Sequence, residues 1–255
     1  MGAAVARRLA ASGAAGVVTC GRTKAKGQAV AEAIERYTGV PVRFVRCDLA
    51  SVEDCRAVIA EADRAFGRLD VLVNAAGISN RGTILDTDPA LFDHIFAVNV
   101  RAPFFLMQDA IRLMVRDGIA GSIVNIGSAA SRAGQPFIAA YCASKGALAT
   151  LTRNTAFAAM ANRIRVNQLD IGWMASDNED RVQREQMGEG GDWLAQVSAA
   201  MPFGRLVDPA EVARAVAFLA SDDSGLMTGA VIPLDQSVHG AYPSSPPVPA
   251  APLTP

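Results

Sequence analysis

The chain has 255 residues and sets 24 Lys and Arg against 25 Asp and Glu, for a formal net charge of −1; with no basic run it lacks the electrostatic footprint of a nucleic-acid-binding protein. Hydrophobic residues make up 51% of it, but the apolar runs are short and regularly interrupted, so no membrane span or signal peptide is expected. The cysteines Cys20, Cys47, Cys55 and Cys142 show neither paired nor metal-ligand spacing, which points to reduced thiols, no metal site and a cytoplasmic protein.

Residues 1–10 read as a helix with Gly13 as its stop signal. An apolar strand over 16–20 runs into Gly21-Arg22, a second apolar run over 42–45 is followed by Asp48, and 69–73 reads as a buried strand entering the small-residue turn Asn74-Ala75-Ala76-Gly77. Asp88-Pro89 marks a helix start, and Asn99 falls inside that helical stretch although Asn is a mediocre helix former. The stretches 103–114 and 143–159 are apolar around much of their circumference, which predicts burial against more than their own sheet. Between them an apolar strand ends at Ser128. Residues 166–176 form a further strand and turn, followed by a polar stretch up to 201 with glycine hinges at 188, 190 and 191. Asp208-Pro209-Ala210-Glu211 has the pattern of a capping box, opening a helix with Val212, Ala213, Val216, Phe218 and Leu219 toward the core. The alternation of strand and helix predicts one α/β domain over 1–242, and 243–255, PSSPPVPAAPLTP, predicts a disordered or polyproline tail.

Ser128, Tyr141 and Lys145, spaced by thirteen residues and then four, carry the chemistry. A Tyr and a Lys four apart share one helix face, so a phenol and an ammonium can be held together. A free phenol has a pKa of about 10 and is a poor base at neutral pH. An ammonium roughly 4 Å away, at an effective dielectric near 20, is worth about 4 kcal/mol or about three pKa units, so Tyr141 is expected to exchange protons near pH 7. A Ser128 hydroxyl from the neighbouring strand end can hold a carbonyl or alcohol oxygen beside the phenol. Neither His94 nor His239 lies in this stretch, so a serine hydrolase lacks its base there.

At these residues the chain resembles the short-chain dehydrogenase/reductase family, from residue 2 to about 242. The resemblance implies a Rossmann-type doubly wound parallel sheet with helices on both faces, and hydride transfer between a nicotinamide cofactor and a secondary alcohol or ketone. It implies that Tyr141 is the general acid or base, that Lys145 lowers its pKa and holds the ribose, that Ser128 orients the substrate oxygen, and that Asn99 opens its helix and holds a water linking the Lys to solvent. On the cofactor side it places Gly2 as the last glycine of the phosphate-binding fingerprint, Asp48 beside the adenine, Asn74 as a tie between strands with Ala75 next to it, and Gly77 near the cofactor. Ile171-Gly172-Trp173-Met174-Ala175-Ser176 stands where the family has PGxxxT, so Gly172 approaches the nicotinamide, Ser176 bonds its carboxamide, and Trp173 either faces substrate or packs in the core. The polar stretch after Ser176 corresponds to the lid, and the two apolar helices to the partner-facing pair of a homodimer or homotetramer. Cys142 is expected to pack, and His94 to be packed or partly exposed. His239 is open between a surface residue and one reaching a neighbouring subunit's site.

Cofactor choice is read at the end of the 16–20 strand. No carboxylate stands there to grip a ribose 2′-hydroxyl, and Arg22 suits a 2′-phosphate, so NADP is expected, with NAD possible. The family's first strand and the two earlier glycines have no counterpart, and those glycines let the backbone approach the pyrophosphate. A gene product beginning roughly 15 to 20 residues upstream is therefore expected. The polar lid suits a sugar or polyol. The alternatives are a 3-oxoacyl thioester reductase and, in another class, a catalytically inactive truncated subunit or binding protein.

Overall fold

The computed structural model of the chain describes residues 1–132, 134–186, 192–238 and 240–241. His239, Gly188, Gly190, Gly191 and the stretch 243–255, with the expectations placed on them, lie outside the described residues.

Helices and strands alternate: α1 Gly2–Ala11, β1 Val17–Gly21, α2 Lys24–Thr38, β2 Val42–Arg46, α3 Val52–Phe66, β3 Val71–Asn74, α4 Pro89–Phe96, a π-helical turn Ala97–Arg101, α5 Ala102–Arg116, β4 Ser122–Ser128, a 3₁₀ turn Ala129–Ser131, α6 Ala139–Ala159, β5 Arg165–Ile171, α7 Asp177–Gln186, α8 Trp193–Ala200, α9 Pro209–Ala220 and β6 Val231–Leu234. Local chemistry sets several of these limits. The Asp88 carboxylate accepts from Leu91 N at 2.9 Å with Pro89 in the first turn of α4, where a missing N–H costs nothing. Asp208 and Glu211 complete the capping box of α9, and Gly39, which ends α2, adopts a left-handed φ of 73° that a Cβ would strain.

All strand pairs are parallel. They form two ladders, β1-β2 and β3-β4-β5-β6, and among the described residues no ladder joins β1 to β3. Helices α1, α2 and α9 cover one face and α3, α5 and α6 the other. Every residue of β4 is buried, as a strand covered on both faces must be. One core joins α3, α5 and α6 through Met107, Ala110, Met114 and Ile123; a second joins α1 and α9 to the sheet through Val5, Val124, Leu169 and Val216. The doubly wound parallel architecture expected from the resemblance is the one observed, with its sheet in two pieces.

One expectation needs correction, and two further features add to what the sequence showed. Phe218 does not join its neighbours in the core: it is 44% exposed, because α9 turns it away from the stripe formed by Val212, Ala213, Val216 and Leu219. The helical run Pro89–Arg116, 28 residues with mean hydropathy 1.3, is long and apolar enough by length and composition to cross a membrane. It buries Leu106, Met107, Ala110, Leu113 and Met114 in the protein's own core, the behaviour of a core helix. Finally, three cysteines without any sequence pattern converge. The thiols of Cys20, at the end of β1, Cys47, just beyond β2, and Cys55 of α3 lie near enough to shift one another's pKa. Cys47 lowers the Cys20 pKa, while Cys47 is pushed up to about 12 and Cys55 is also raised. All three are free thiols.

Candidate active site

Ser128 is the last residue of β4, and Tyr141 and Lys145 occupy the first two turns of α6, so a strand end and a helix start deliver the three groups to one place. The Ser128 hydroxyl stands near enough to the Tyr141 phenol to lower its pKa. The Lys145 ammonium lies over the Tyr141 ring, 5.8 Å from its centroid, and donates to the Ile126 carbonyl at 2.8 Å. The constellation expected from the spacing is assembled.

Its electrostatics differ from the expectation. Burial opposes the charged form of each group: it raises the Tyr141 pKa, with the Ser128 hydroxyl pulling the other way and the charges of Asp170 and Glu179 adding to the rise. Burial likewise lowers Lys145 to about 8, against the opposing charge of Asp170. The Lys145 ammonium is committed to the Ile126 carbonyl, and burial is the largest influence on the phenol. The expected fall of the phenol toward neutrality is therefore corrected to a rise.

Asn99 sits in the π-helical turn between α4 and α5, and the expected opening of the helix is that turn. Its side chain grips one residue of the β3–α4 loop: Oδ1 accepts from Ile78 N at 2.9 Å, and Nδ2 donates to Ile78 O at 2.9 Å and to Ser144 Oγ at 3.0 Å. A Cβ placed on Gly77 would come within 3.3 Å of both Asn99 Oδ1 and Lys145 Nζ, so Gly77, Asn99 and Lys145 meet at one point.

The remaining predicted cofactor residues line the carboxyl ends of the parallel strands, where open α/β sheets bind ligands. Asn74 ends β3 and ties it to β4 through Asn125 Oδ1 at 2.8 Å, as expected; Ala75 packs beside it in the second core. Arg22 is exposed just past β1. Asp48 follows β2, where its Oδ1 accepts from Ala50 N at 3.0 Å and its backbone N donates to Asp54 Oδ2 at 2.8 Å. Gly2 opens α1. Gly172 has a structural reason to be glycine, since a Cβ there would lie 2.6 Å from Asp235 Cβ. The Ser176 hydroxyl accepts from Glu179 N at 3.2 Å and so caps α7.

One functional residue escaped the sequence reading. Asp170 of β5 is wholly buried and accepts four hydrogen bonds: Ser131 Oγ at 2.6 Å, Gln168 Nε2 at 2.6 Å, Ser128 N at 3.2 Å and Arg132 Nε at 3.2 Å. Gln168 extends this network through Thr152 and Asn125 to Asn74, so a polar chain runs through the sheet beneath the site. The signal was a carboxylate inside the otherwise apolar end of a strand, a residue type almost never buried unless paired. Gly127 has no room for a side chain beside it, because a Cβ would fall 2.0 Å from Asp170 Oδ1. Gly127→Ala is expected to destabilise the fold by about 1–3 kcal/mol, read as a lower urea midpoint at unchanged slope.

A family model described as Enoyl-(Acyl carrier protein) reductase matches residues 1–239. The 2-(S)-hydroxypropyl-CoM dehydrogenase 3 of Xanthobacter autotrophicus is 37% identical over 204 residues, 77% of this chain and 76% of that protein. The 3-oxoacyl-(acyl-carrier-protein) reductase FabG of Rickettsia conorii is 32% identical over 232 residues, 91% and 89% of the two chains. The chain belongs to the short-chain dehydrogenase/reductase family. This short-chain dehydrogenase/reductase also superposes on the crystal structure of an NAD+-bound xylitol dehydrogenase with a TM-score of 0.84, at 29% identity over 92% of this chain and 94% of that one. It is an oxidoreductase acting on CH–OH groups with a nicotinamide cofactor.

The residues present fit the nicotinamide half of such a cofactor. Asn74 Oδ1 is buried without a partner at the end of β3, and the missing side chain of Gly77 leaves free the space against Lys145 and Asn99.

Proposed function

We propose that this short-chain dehydrogenase/reductase uses NADP(H) to interconvert a hydroxylated secondary alcohol, a polyol or sugar, and its ketone, with Tyr141 as the proton-exchanging residue. The observation that carries this reading is the buried lysine held against the Tyr141 ring, with the Ser128 hydroxyl close to the phenol. Ser128 holds the reacting oxygen, and Tyr141 gives it a proton in reduction or takes one in oxidation. Lys145 supplies a buried positive charge and a donor for the cofactor's ribose. Asn99 keeps the Ile78 loop and the helix opening in register with that lysine and supports a proton path to solvent. When bound, the nicotinamide ring gives or accepts the hydride.

Several features support the finer points. Arg22 is the exposed group at the end of β1, and no carboxylate competes with it there, which favours a 2′-phosphate. Phe104 and Val115 of α5 are 44% and 45% exposed and Phe157 of α6 is 80% exposed, a distribution that suits a partner subunit and hence a homodimer or homotetramer. Four free thiols accord with a cytoplasmic protein. Likeness to FabG keeps 3-oxoacyl thioester reduction as the second reading.

The test is turnover against pH with NADP+ or NADPH. A Tyr141 pKa raised by burial leaves the phenol protonated through the neutral range, ready as an acid and scarce as a base. Ketone reduction is therefore expected to stay flat from about pH 6 to 8, while alcohol oxidation climbs close to tenfold per pH unit. Absence of turnover with every polyol, ketose and oxoacyl thioester, in folded protein that binds NADPH, would return the inactive-subunit reading.

A further inference from the structure

Glu179 departs from the role its position suggests. Ser176-Asp177-Asn178-Glu179 has the S-x-x-E form of a capping box, and Ser176 plays its part by accepting from Glu179 N. The glutamate does not reach back. Its Oε1 accepts from the indole N–H of Trp173 at 2.9 Å and from Gln183 Nε2 at 2.8 Å, and its Oε2 accepts from nothing among the described residues. An ionised carboxylate only accepts hydrogen bonds, so an open oxygen of this kind calls for a donor.

Its location says which donor. In the β4–β5 ladder Ile171 pairs with Ser128, so Trp173 lies only two residues beyond the position opposite the substrate-orienting serine. Glu179 is near enough to Tyr141 for its charge to be felt at the phenol. Trp173 is 41% exposed, whereas the ring stacked on it, Trp193 at 6.3 Å and 25°, is 3% exposed. Trp193 is pinned in turn by its N–H to Asp180 Oδ1 at 2.8 Å, and Asp180 by Arg184 at 2.9 Å. A rigid indole face and a half-committed carboxylate thus stand together on the lid side of the reacting group. The face suits the C–H edge of a carbon chain and the carboxylate its hydroxyls.

We propose that Glu179 and Trp173 form a hydroxyl-recognising subsite that selects substrates carrying hydroxyl groups next to the reacting carbon. This rests on the alcohol–ketone reading above and adds the residues that choose among alcohols.

The test compares xylitol with 2-butanol, which has the same reacting group and no second hydroxyl, at one fixed pH with saturating NADP+. Glu179→Gln keeps the shape and still accepts from Trp173 but loses the charge. Losing the charge also lowers the Tyr141 pKa and so changes kcat by a similar factor for both alcohols, and the subsite is read from what differs between them: the KM for xylitol is expected to rise about tenfold or more while the KM for 2-butanol stays nearly unchanged, at an unchanged melting temperature. Trp173→Leu should likewise weaken xylitol selectively. Equal losses on both alcohols, or no loss on xylitol, would overturn the subsite while the oxidoreductase reading stands. Turnover of 2-butanol with neither turnover of xylitol nor quenching of tryptophan fluorescence by it would overturn it too. If neither alcohol turns over, the alcohol–ketone reading loses its support, and the subsite is then judged by the fluorescence titration, in which selective loss of xylitol quenching in Glu179→Gln sustains it and equal or absent quenching overturns it.

Discussion

Tyr141→Phe is expected to lower kcat for alcohol oxidation by a factor of about 10²–10⁴, the usual share of a positioned acid–base group, and to leave the affinity for NADP+ nearly unchanged. Only the phenol oxygen is removed. The ring against which the Lys145 ammonium rests is kept, and the lysine's bond to the Ile126 carbonyl does not involve the phenol, so the ribose donor stays in place. The Ser128 hydroxyl loses a polar neighbour but still accepts from Ala130 N at 3.2 Å. Steady-state kinetics together with a cofactor titration separate the two effects. Residual activity within about tenfold of the parent is too small a loss for the group that moves the proton, and would shift that role elsewhere.

The second large effect is on stability. Asp170→Ala would strip acceptors from Ser131, Gln168 and the Ser128 backbone N–H at once and leave the Arg132 guanidinium without its carboxylate. Arg132 Nη2 is already buried without a partner. Breaking a buried pair costs about 3–5 kcal/mol, a large share of the roughly 5–15 kcal/mol that holds a domain together. The Arg132 side chain is 28% exposed, and solvent screening places the ion-pair share of that loss at the low end. An unfolding free energy from urea titration lowered by less than about 1 kcal/mol would show that water replaces the lost bonds. Asp170→Asn keeps the shape and loses the charge, and should cost less. The Asp170 charge raises the pKa of both Tyr141 and Lys145, so its loss lowers both, and the rising limb of alcohol oxidation should move to lower pH.

Much of the catalytic arrangement was legible because it is local. Tyr141 and Lys145 share a face through the helical repeat alone, Ser128 is delivered by the end of an apolar strand, and Asp88-Pro89 and Asp208 to Glu211 announce helices that form where they announce them. The misreadings share a different property. The Lys145 ammonium is fixed by Ile126, nineteen residues away, and the phenol's shift is set first by how deeply it is buried. Glu179 drew no reading of its own in the sequence, because what it serves is Trp173, at the end of β5 rather than in its own helix. Phe218 belongs to an apolar helix whose register against the sheet, not its composition, leaves it in solvent.

By itself, then, the order of residues determined the alternation of helix and strand and which serine, tyrosine and lysine would meet, since each follows from backbone periodicity and strand-end placement, while the parallel architecture was implied by the family resemblance. Tertiary structure alone decided the state of those groups. How much water surrounds Tyr141 and Lys145, where the buried Asp170 finds its four donors, and why Cys20, Cys47 and Cys55 share one cluster all depend on contacts across the sheet between residues far apart in the chain. Desolvation and hydrogen-bond partnership are properties of packing, and packing has no period to read.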